Sequence, residues 1–452
     1  MSSETQPTGF ALGSGEPTTK RKIISWAMWD WGTQPFHTVI TTFVFSVYLT
    51  SSSFGETNYT SQSLATSTFL AGIFVALLAP VLGQNSDRQG RKLRNLRWQT
   101  LLLAAISAAL FVVKPEPNFL WLGLGMLAVG SVIAEIAGVN YNALLDQVSN
   151  EKNVGKVSGF GWGMGYLGGI VVLLLIFMLF INPDVGLFGV TGENGLDIRV
   201  SMVVCGLWTL IFTIPTFVAL KDPPLDHPAE KVGIIESYRE LGRSVVRLWR
   251  GSRHTLYFLM ASALFRDGLA GVFAFGAVIA AGTFGFSAGE VIIFGAAANI
   301  TAGIATMIFG LLDDRLGPKR VIMISLISMS FLGFGIFFFH DIGKIGFWVL
   351  GMLLVVFVGP AQSASRSFLT RLIPAGKSGE IFGLYATTGR VVSFMSPAAF
   401  GLAITVGHLV TGEANTQYWG ILGIVAVLIL GLLVLIPVHS HDQQMDAFSP
   451  VE

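Results

Sequence analysis

The chain has 452 residues, 52% of them hydrophobic and only 12% charged, with a formal net charge of +1. That is about half the charge of an ordinary soluble domain, which excludes a fully water-soluble surface and makes lipid the main solvent. The balanced charge also excludes nucleic acid as a partner, since there is no basic excess to neutralise phosphate.

Residues 1–22 are largely polar, with many Ser, Thr, Gly and Pro, and lack the basic-then-apolar pattern of a secretory signal. They read as a disordered tail. Six apolar segments follow near 23–50, 65–84, 97–113, 118–146, 157–181 and 198–219. Each is long enough to cross ~30 Å of hydrocarbon as a helix. A polar stretch at 221–253 separates them from six more, near 254–282, 289–311, 320–339, 346–372, 380–406 and 417–437. The expected organisation is an N-terminal half over 23–220, a linker over 221–253, a C-terminal half over 254–438 and a tail over 439–452. The fold class is therefore an all-α membrane protein with twelve transmembrane helices in two six-helix repeats.

An even number of spans puts both termini on one side. All but six of the 28 Lys and Arg residues fall in the N-terminal tail, the even-numbered loops and the linker. The positive-inside bias assigns those segments to the cytoplasm of a cell or inner membrane. The exceptions are Lys114, Arg199 and Lys344 in the other loops, and Arg266, Arg366 and Arg390 within helices. Cys205, the single cysteine, lies in an apolar run, so neither a disulfide nor a thiolate metal site is expected.

The linker opens with Lys221-Asp222-Pro223-Pro224, which stops the sixth helix. It continues with Ile234, Ile235, Tyr238, Leu241, Val245 and Leu248 at helical spacing, with Arg239, Arg243, Arg247 and Arg250 on other faces. That pattern is a basic amphipathic helix, lying either on the anionic leaflet or in water as a solvated connector.

The loop after the second helix runs from Gly83 through Asp87, Arg88, Gly90 and Arg91 to Lys92. The loop after the eighth runs from Gly310 through Asp314, Arg315 and Gly317 to Lys319 and Arg320. Both fit G-x-x-x-D-R-x-G-x-K, 227 residues apart, close to half the chain. Matched loops at matched topology imply duplicated units. The first Gly admits a close helix approach, the Asp can accept from a partner helix's N-terminus, and the basic residues can anchor the loop at anionic lipid.

This repeated loop resembles the signature loop of the major facilitator superfamily. The resemblance implies that Asp87, Arg88, Asp314 and Arg315 latch one side of the bundle during alternating access. A topological anchor without gating is the plainer alternative. A narrower resemblance, to the Atg22-like family, is carried by Ile24-Ser25-Trp26-Ala27-Met28-Trp29-Asp30, Tyr141-Asn142-Ala143-Leu144-Leu145, Gly165-Tyr166-Leu167-Gly168-Gly169 and Gln362-Ser363-Ala364-Ser365-Arg366-Ser367. Fungal members are associated with amino-acid efflux from the vacuole, which makes an amino acid one expected substrate. The chain departs from that family's pattern at Gly32-Thr33-Gln34-Pro35 and at Arg266 before Asp267.

Ionisable groups in hydrocarbon cost about 2.5–3.5 kcal/mol each on insertion scales, so they mark a cavity or pathway by default. Six stand well inside the helices: Asp30, Glu135, Arg266, Asp267, Arg366 and Arg390. The first half contributes acids and the second mostly bases, which predicts a lumen with opposed walls, suited to a zwitterion. An unpaired buried carboxylate, Asp30 or Glu135, would also carry a proton. The plainer reading is a salt-bridge network, with Asp30 or Glu135 holding Arg366. Arg266 and Asp267 point ~100° apart, so one of them is expected to pair with another helix.

Gln34, His37, Tyr141, Asn142, Trp162, Tyr166 and Tyr385 complete a possible pocket, and Trp26 reads as a membrane-belt anchor. Gly163-Met164-Gly165-Tyr166-Leu167-Gly168 matches G-x-G-x-x-G but lies in an apolar helix with no preceding strand, so it marks close packing.

The reading as a whole is a monomeric, non-enzymatic secondary transporter of a small polar solute, expected to be proton-coupled, with no cofactor and no metal. The alternatives are a broad drug or metabolite exporter and a transport-inactive scaffold or sensor.

Overall fold

The computed structural model describes residues 11–13, 18–222, 234–251, 253–413 and 415–438. Most of the two expected tails and linker positions 223–233 lie outside the described residues.

The helices of the first half are α1, beginning at Lys20–Pro35, α2 (Thr57–Gln89), α3 (Lys92–Ala109), α4 (Leu120–Ala143), α5 (Val154–Ile176) and α6 (Leu196–Ala219). Those of the second are α7 (Arg253–Gly282), α8 (Ala288–Leu316), α9 (Pro318–Phe338), α10 (Lys344–Leu372), α11, beginning at Ser378–Val392, and α12 (Gly420–Leu435). Among the described residues eleven spans are long and apolar enough to cross a membrane, that of α11 taken with its continuation to Thr411. The twelfth, α1, is interrupted and reaches membrane length only with its continuation.

The interruption has a local cause. Pro35 lacks an N–H and cannot bond the carbonyl of Trp31. That freed carbonyl accepts instead from Trp208 Nε1 on α6, at 3.3 Å. Beyond Pro35 the chain widens into a π-helical stretch, Phe36–Phe43, in which the Thr41 and Thr42 hydroxyls both donate to the His37 carbonyl at 2.7 Å. A short helix, Phe45–Leu49, completes the span. The continuous helix expected over 23–50 is therefore corrected to three pieces. The eleventh span also breaks: α11 resumes at Met395–Thr411, where Asp267 of α7 accepts from Ser396 N at 2.6 Å and caps the new N-terminus.

Local signals set several ends. Gly90 closes α2 with φ 57°, a left-handed conformation natural to glycine. Ser287 and Glu290 form a reciprocal capping box at the start of α8.

The end of the bundle that carries the two repeat loops, hereafter the basic end, is tied across the halves. α2 packs along α11, and α5 along α8. At both seams glycines let backbones touch. A Cβ on Gly159 would sit 2.7 Å from the Thr306 carbonyl and 2.9 Å from Gly310 Cα. Gly83 and Gly379 face each other in the same way.

The linker helix, Ile234–Gly251, turns its Leu241, Val245 and Leu248 stripe inward against the protein core rather than outward to lipid. Tyr238 donates to the Leu77 carbonyl of α2 at 2.6 Å. Neither expected placement, on the anionic leaflet or solvated in water, foresaw this packing against the protein; Ile235, 81% exposed, keeps an outward position. The tail expectation also changes within its described part. Leu12 is buried, the Ala11 amide donates to the Ile373 carbonyl of the second half at 2.9 Å, and α1 already begins at Lys20.

Candidate functional site

Between the halves lies a cavity of about 480 Å³. All seven residues expected in a pathway line it: Asp30, Gln34 and His37 from α1, Glu135 from α4, Arg266 and Asp267 from α7, and Arg390 from α11. A second cavity, about 270 Å³, shares His37, Glu135 and Arg390 and reaches toward the opposite end past Ser131, Thr68 and Thr41.

The opposed charges meet as pairs rather than standing on separate walls. Glu135 of the first half and Arg390 of the second form an ion pair where the two cavities adjoin. Arg366 of α10 lies 3.6 Å from Asp30. Its Nη1 donates to Asn142 Oδ1 at 3.1 Å, its Nε to Ser158 Oγ at 3.0 Å and its Nη2 to the Ser158 carbonyl at 2.7 Å. The expectation of an unpaired Glu135 is corrected, because Arg390 reaches it across the interface. Of the two acids proposed for Arg366, Asp30 is the one beside it.

Arg266 and Asp267 both turn toward α11. The Arg266 guanidinium covers the Tyr385 ring 3.6 Å from its centre and donates to the Tyr385 carbonyl at 3.2 Å. Asp267 is occupied by the Ser396 amide. Trp26, expected at the membrane belt, is fully buried. It stacks on Tyr141 at 4.5 Å, and Arg366 sits 5.0 Å over its ring. The sequence could not show that α4 and α10 cover Trp26.

At the basic end both repeat carboxylates find helix N-termini in the other half. Asp87 accepts from Gly379 N at 2.9 Å and Glu380 N at 2.8 Å, at the start of α11. Asp314 accepts from Gly155 N at 2.7 Å and Lys156 N at 2.8 Å, at the start of α5. Each carboxylate thus meets the orphan donors and positive dipole end of a helix. Lys92 lies 3.0 Å from Asp87, and Arg371 lies 3.3 Å from Asp314. Gly83 and Gly310 sit at the backbone approaches described above, Gly90 ends α2, and Gly317, with φ 85°, turns the chain into α9. Arg88 pairs with Glu240 on the linker helix. Arg91 and Arg315 make no ion pair among the described residues.

Sequence reasoning missed several partners. Ser158 grips Arg366, Ser378 donates to Asp146 at 2.6 Å, Tyr166 donates to Gln362 at 2.7 Å, and Ser367 bonds Asp313. All but the last join residues about 200 positions apart, for which a single sequence carries no signal. Hydrogen bonds between the halves run from the basic end to mid-depth. Among the described residues none lies beyond Arg390 toward the opposite end.

Solved structures show the same architecture. The proton:xylose symporter XylE bound to 6-bromo-6-deoxy-D-glucose matches with a TM-score of 0.71, 14% identity and coverage of 94% of this chain and 98% of that one. A bacterial homologue of the iron transporter ferroportin in an outward-facing state matches at 0.65 with 15% identity, covering 92% and 98%. The fold is that of the major facilitator superfamily, and the chain is an integral membrane protein with the transporter architecture.

The family model for vacuole effluxer Atg22-like proteins matches residues 46–446. The chain belongs to that family. The uncharacterized MFS-type transporter YxiO of Bacillus subtilis is 25% identical over 430 residues, 91% of this chain and 93% of that protein. Autophagy-related protein 22 of Yarrowia lipolytica is 24% identical over 359 residues, 72% of this chain and 58% of that longer protein.

Proposed function

We propose that the chain is a secondary transporter carrying a small zwitterion, an amino acid or a close relative, by alternating access. The observation that carries this is the Glu135–Arg390 pair, which bridges the halves in the cavity wall. A zwitterion's carboxylate replaces Glu135 on Arg390, and its ammonium replaces Arg390 on Glu135. Each charge keeps a partner while the link between the halves is broken, so binding and rocking are coupled.

In this reading the basic end and both termini face the cytoplasm, as the distribution of Lys and Arg favours. The absence of inter-half bonds beyond Arg390, among the described residues, supports an outward-facing state. Asp87 and Asp314, with Arg88 and Arg315 beside them, serve as the cytoplasmic latch that must release on inward opening. Asp30 and His37 are the groups suited to carry a coupling proton. The protein acts as a monomer in the lipid bilayer of the cell's inner or plasma membrane.

The test is counterflow and proton-driven uptake of a labelled amino-acid mixture in proteoliposomes. Glu135→Gln and Arg390→Gln are expected to abolish both activities. Asp30→Asn is expected to retain exchange but lose proton-driven accumulation. Unchanged uptake in folded Glu135→Gln and Arg390→Gln variants would overturn the zwitterion reading.

A further inference from the structure

Arg366 is a guest in a receptor built by the other half. Its guanidinium lies 5.0 Å from the ring centre of Trp26, 5.7 Å from that of Tyr141 and 5.6 Å from that of Trp162. Asp30 faces it at 3.6 Å, and Asn142 and Ser158 supply three acceptors at hydrogen-bond distance. Every one of these groups comes from α1, α4 or α5, whereas Arg366 comes from α10. Aromatic faces around a carboxylate form the standard recognition chemistry for an organic cation.

The receptor is held without its guest. Tyr141 is stacked between Trp26 and Trp29, at 4.5 and 4.4 Å. Trp26 Nε1 donates to the Tyr141 carbonyl at 3.3 Å, and Trp29 Nε1 donates to Thr100 Oγ1 on α3 at 2.9 Å. These contacts all lie within the first half. The rings therefore keep their places when α10 moves away. Asp30 Oδ2, 3.6 Å from Arg366, and the Tyr141 hydroxyl are both buried in the cage.

We infer that this cage is a binding site for a small organic cation, guanidinium- or primary-ammonium-bearing, which takes the place of Arg366 when the basic end opens. This rests on the alternating-access reading, because rocking is what withdraws Arg366 from the cage. Arg366 then acts as a tethered competitor: it fills the site whenever that end is shut, and a bound cation opposes reclosure. The cage borders the same cavity as Glu135 and Arg390, so a ligand in that cavity enters the cage once Arg366 is withdrawn.

The probe is methylguanidinium chloride, added to purified full-length protein against matched sodium chloride, with tryptophan fluorescence and melting temperature as readouts. Arg366→Ala empties the cage in every conformation. The double latch variant Asp87→Asn/Asp314→Asn keeps Arg366 but favours opening. Both are expected to bind the probe with saturable quenching, at least tenfold more tightly than wild type. Adding Asp30→Asn is expected to weaken binding tenfold or more in either background.

Absence of binding to a folded Arg366→Ala protein, or binding indifferent to Asp30→Asn, overturns the cage. Should Arg366→Ala not fold, the double latch variant decides. Spin-label distances across the basic end separate the two ideas. No binding in a latch variant whose labels move apart overturns the cation site and leaves alternating access standing. Labels that never separate sink alternating access itself, and with it the route to the cage.

Discussion

Neutralising Asp87 and Asp314 together is expected to shift the chain from the closed basic end to an open one. Each carboxylate accepts two backbone N–H bonds at a helix start, between 2.7 and 2.9 Å. Asparagine keeps one acceptor and points an amide at the other donor, so one bond and the full charge are lost. A hydrogen bond to a charged group contributes about 1.5–3 kcal/mol, and the helix dipole adds roughly 0.3–1 kcal/mol. Taking about 2 kcal/mol per site gives roughly a thirtyfold shift for each. The two sites share no partner, so their effects should add to ~4 kcal/mol, about a thousandfold. Cys205 is buried and will not label, which leaves cysteines introduced at the exposed Arg94 and Arg320 as the only targets. Pulsed electron spin resonance between labels there should show a longer distance in the double variant and a mixture in each single one. A distribution superimposable on wild type, in protein that still melts cooperatively, would refute the reasoning.

Gly159→Ala should lower the melting temperature through about 1–3 kcal/mol of overpacking against α8, and should also favour the open basic end. Gly125→Ala, where a Cβ meets nothing within 4 Å, is the matched control and should not destabilise. Glu135→Gln should cost about 1 kcal/mol or less in thermal stability, because its side chain and that of Arg390 are 35% and 32% exposed. Adding Arg390→Gln should recover most of that loss; a larger, additive loss would mean the pair is not the unit described here. Tyr166→Phe removes the bond to Gln362 across the halves and should destabilise the closed state by about 1 kcal/mol, read as a small lengthening of the same spin-label distance.

The fold was legible because lipid imposes a length and a composition on every span, and because two copies of one loop betray a duplication. The cavity was legible for a related reason: charge is costly in hydrocarbon, and each of the six charges within the helices has a partner in the structure. Partner choice was not legible. Glu135 finds Arg390 rather than Arg366 because α4 and α11 cross at that depth, which depends on helix packing and not on local pattern. Trp26 looked like an interfacial anchor because its depth along α1 was readable and its azimuth was not. The interruption of α1 was hinted at by Pro35, yet neither the π-helical stretch beyond it nor the uptake of the freed carbonyl by Trp208 of α6 could be read from local pattern.

The glycine contacts between α5 and α8, and between α2 and α11, have a kinetic consequence. Gly159 meets Gly310, and Gly83 meets Gly379, backbone to backbone, so at these two contacts no side chain is interdigitated between the halves. A knob seated in a hole must leave its rotamer well before the surfaces can slide; a smooth track has no such toll. The barrier to motion then sits in the clasps at the basic end and in the mid-depth ion pair, while the track itself contributes little friction. Substitutions at the clasps should change how long each state lasts, and bulk added to the track should slow travel in both directions alike.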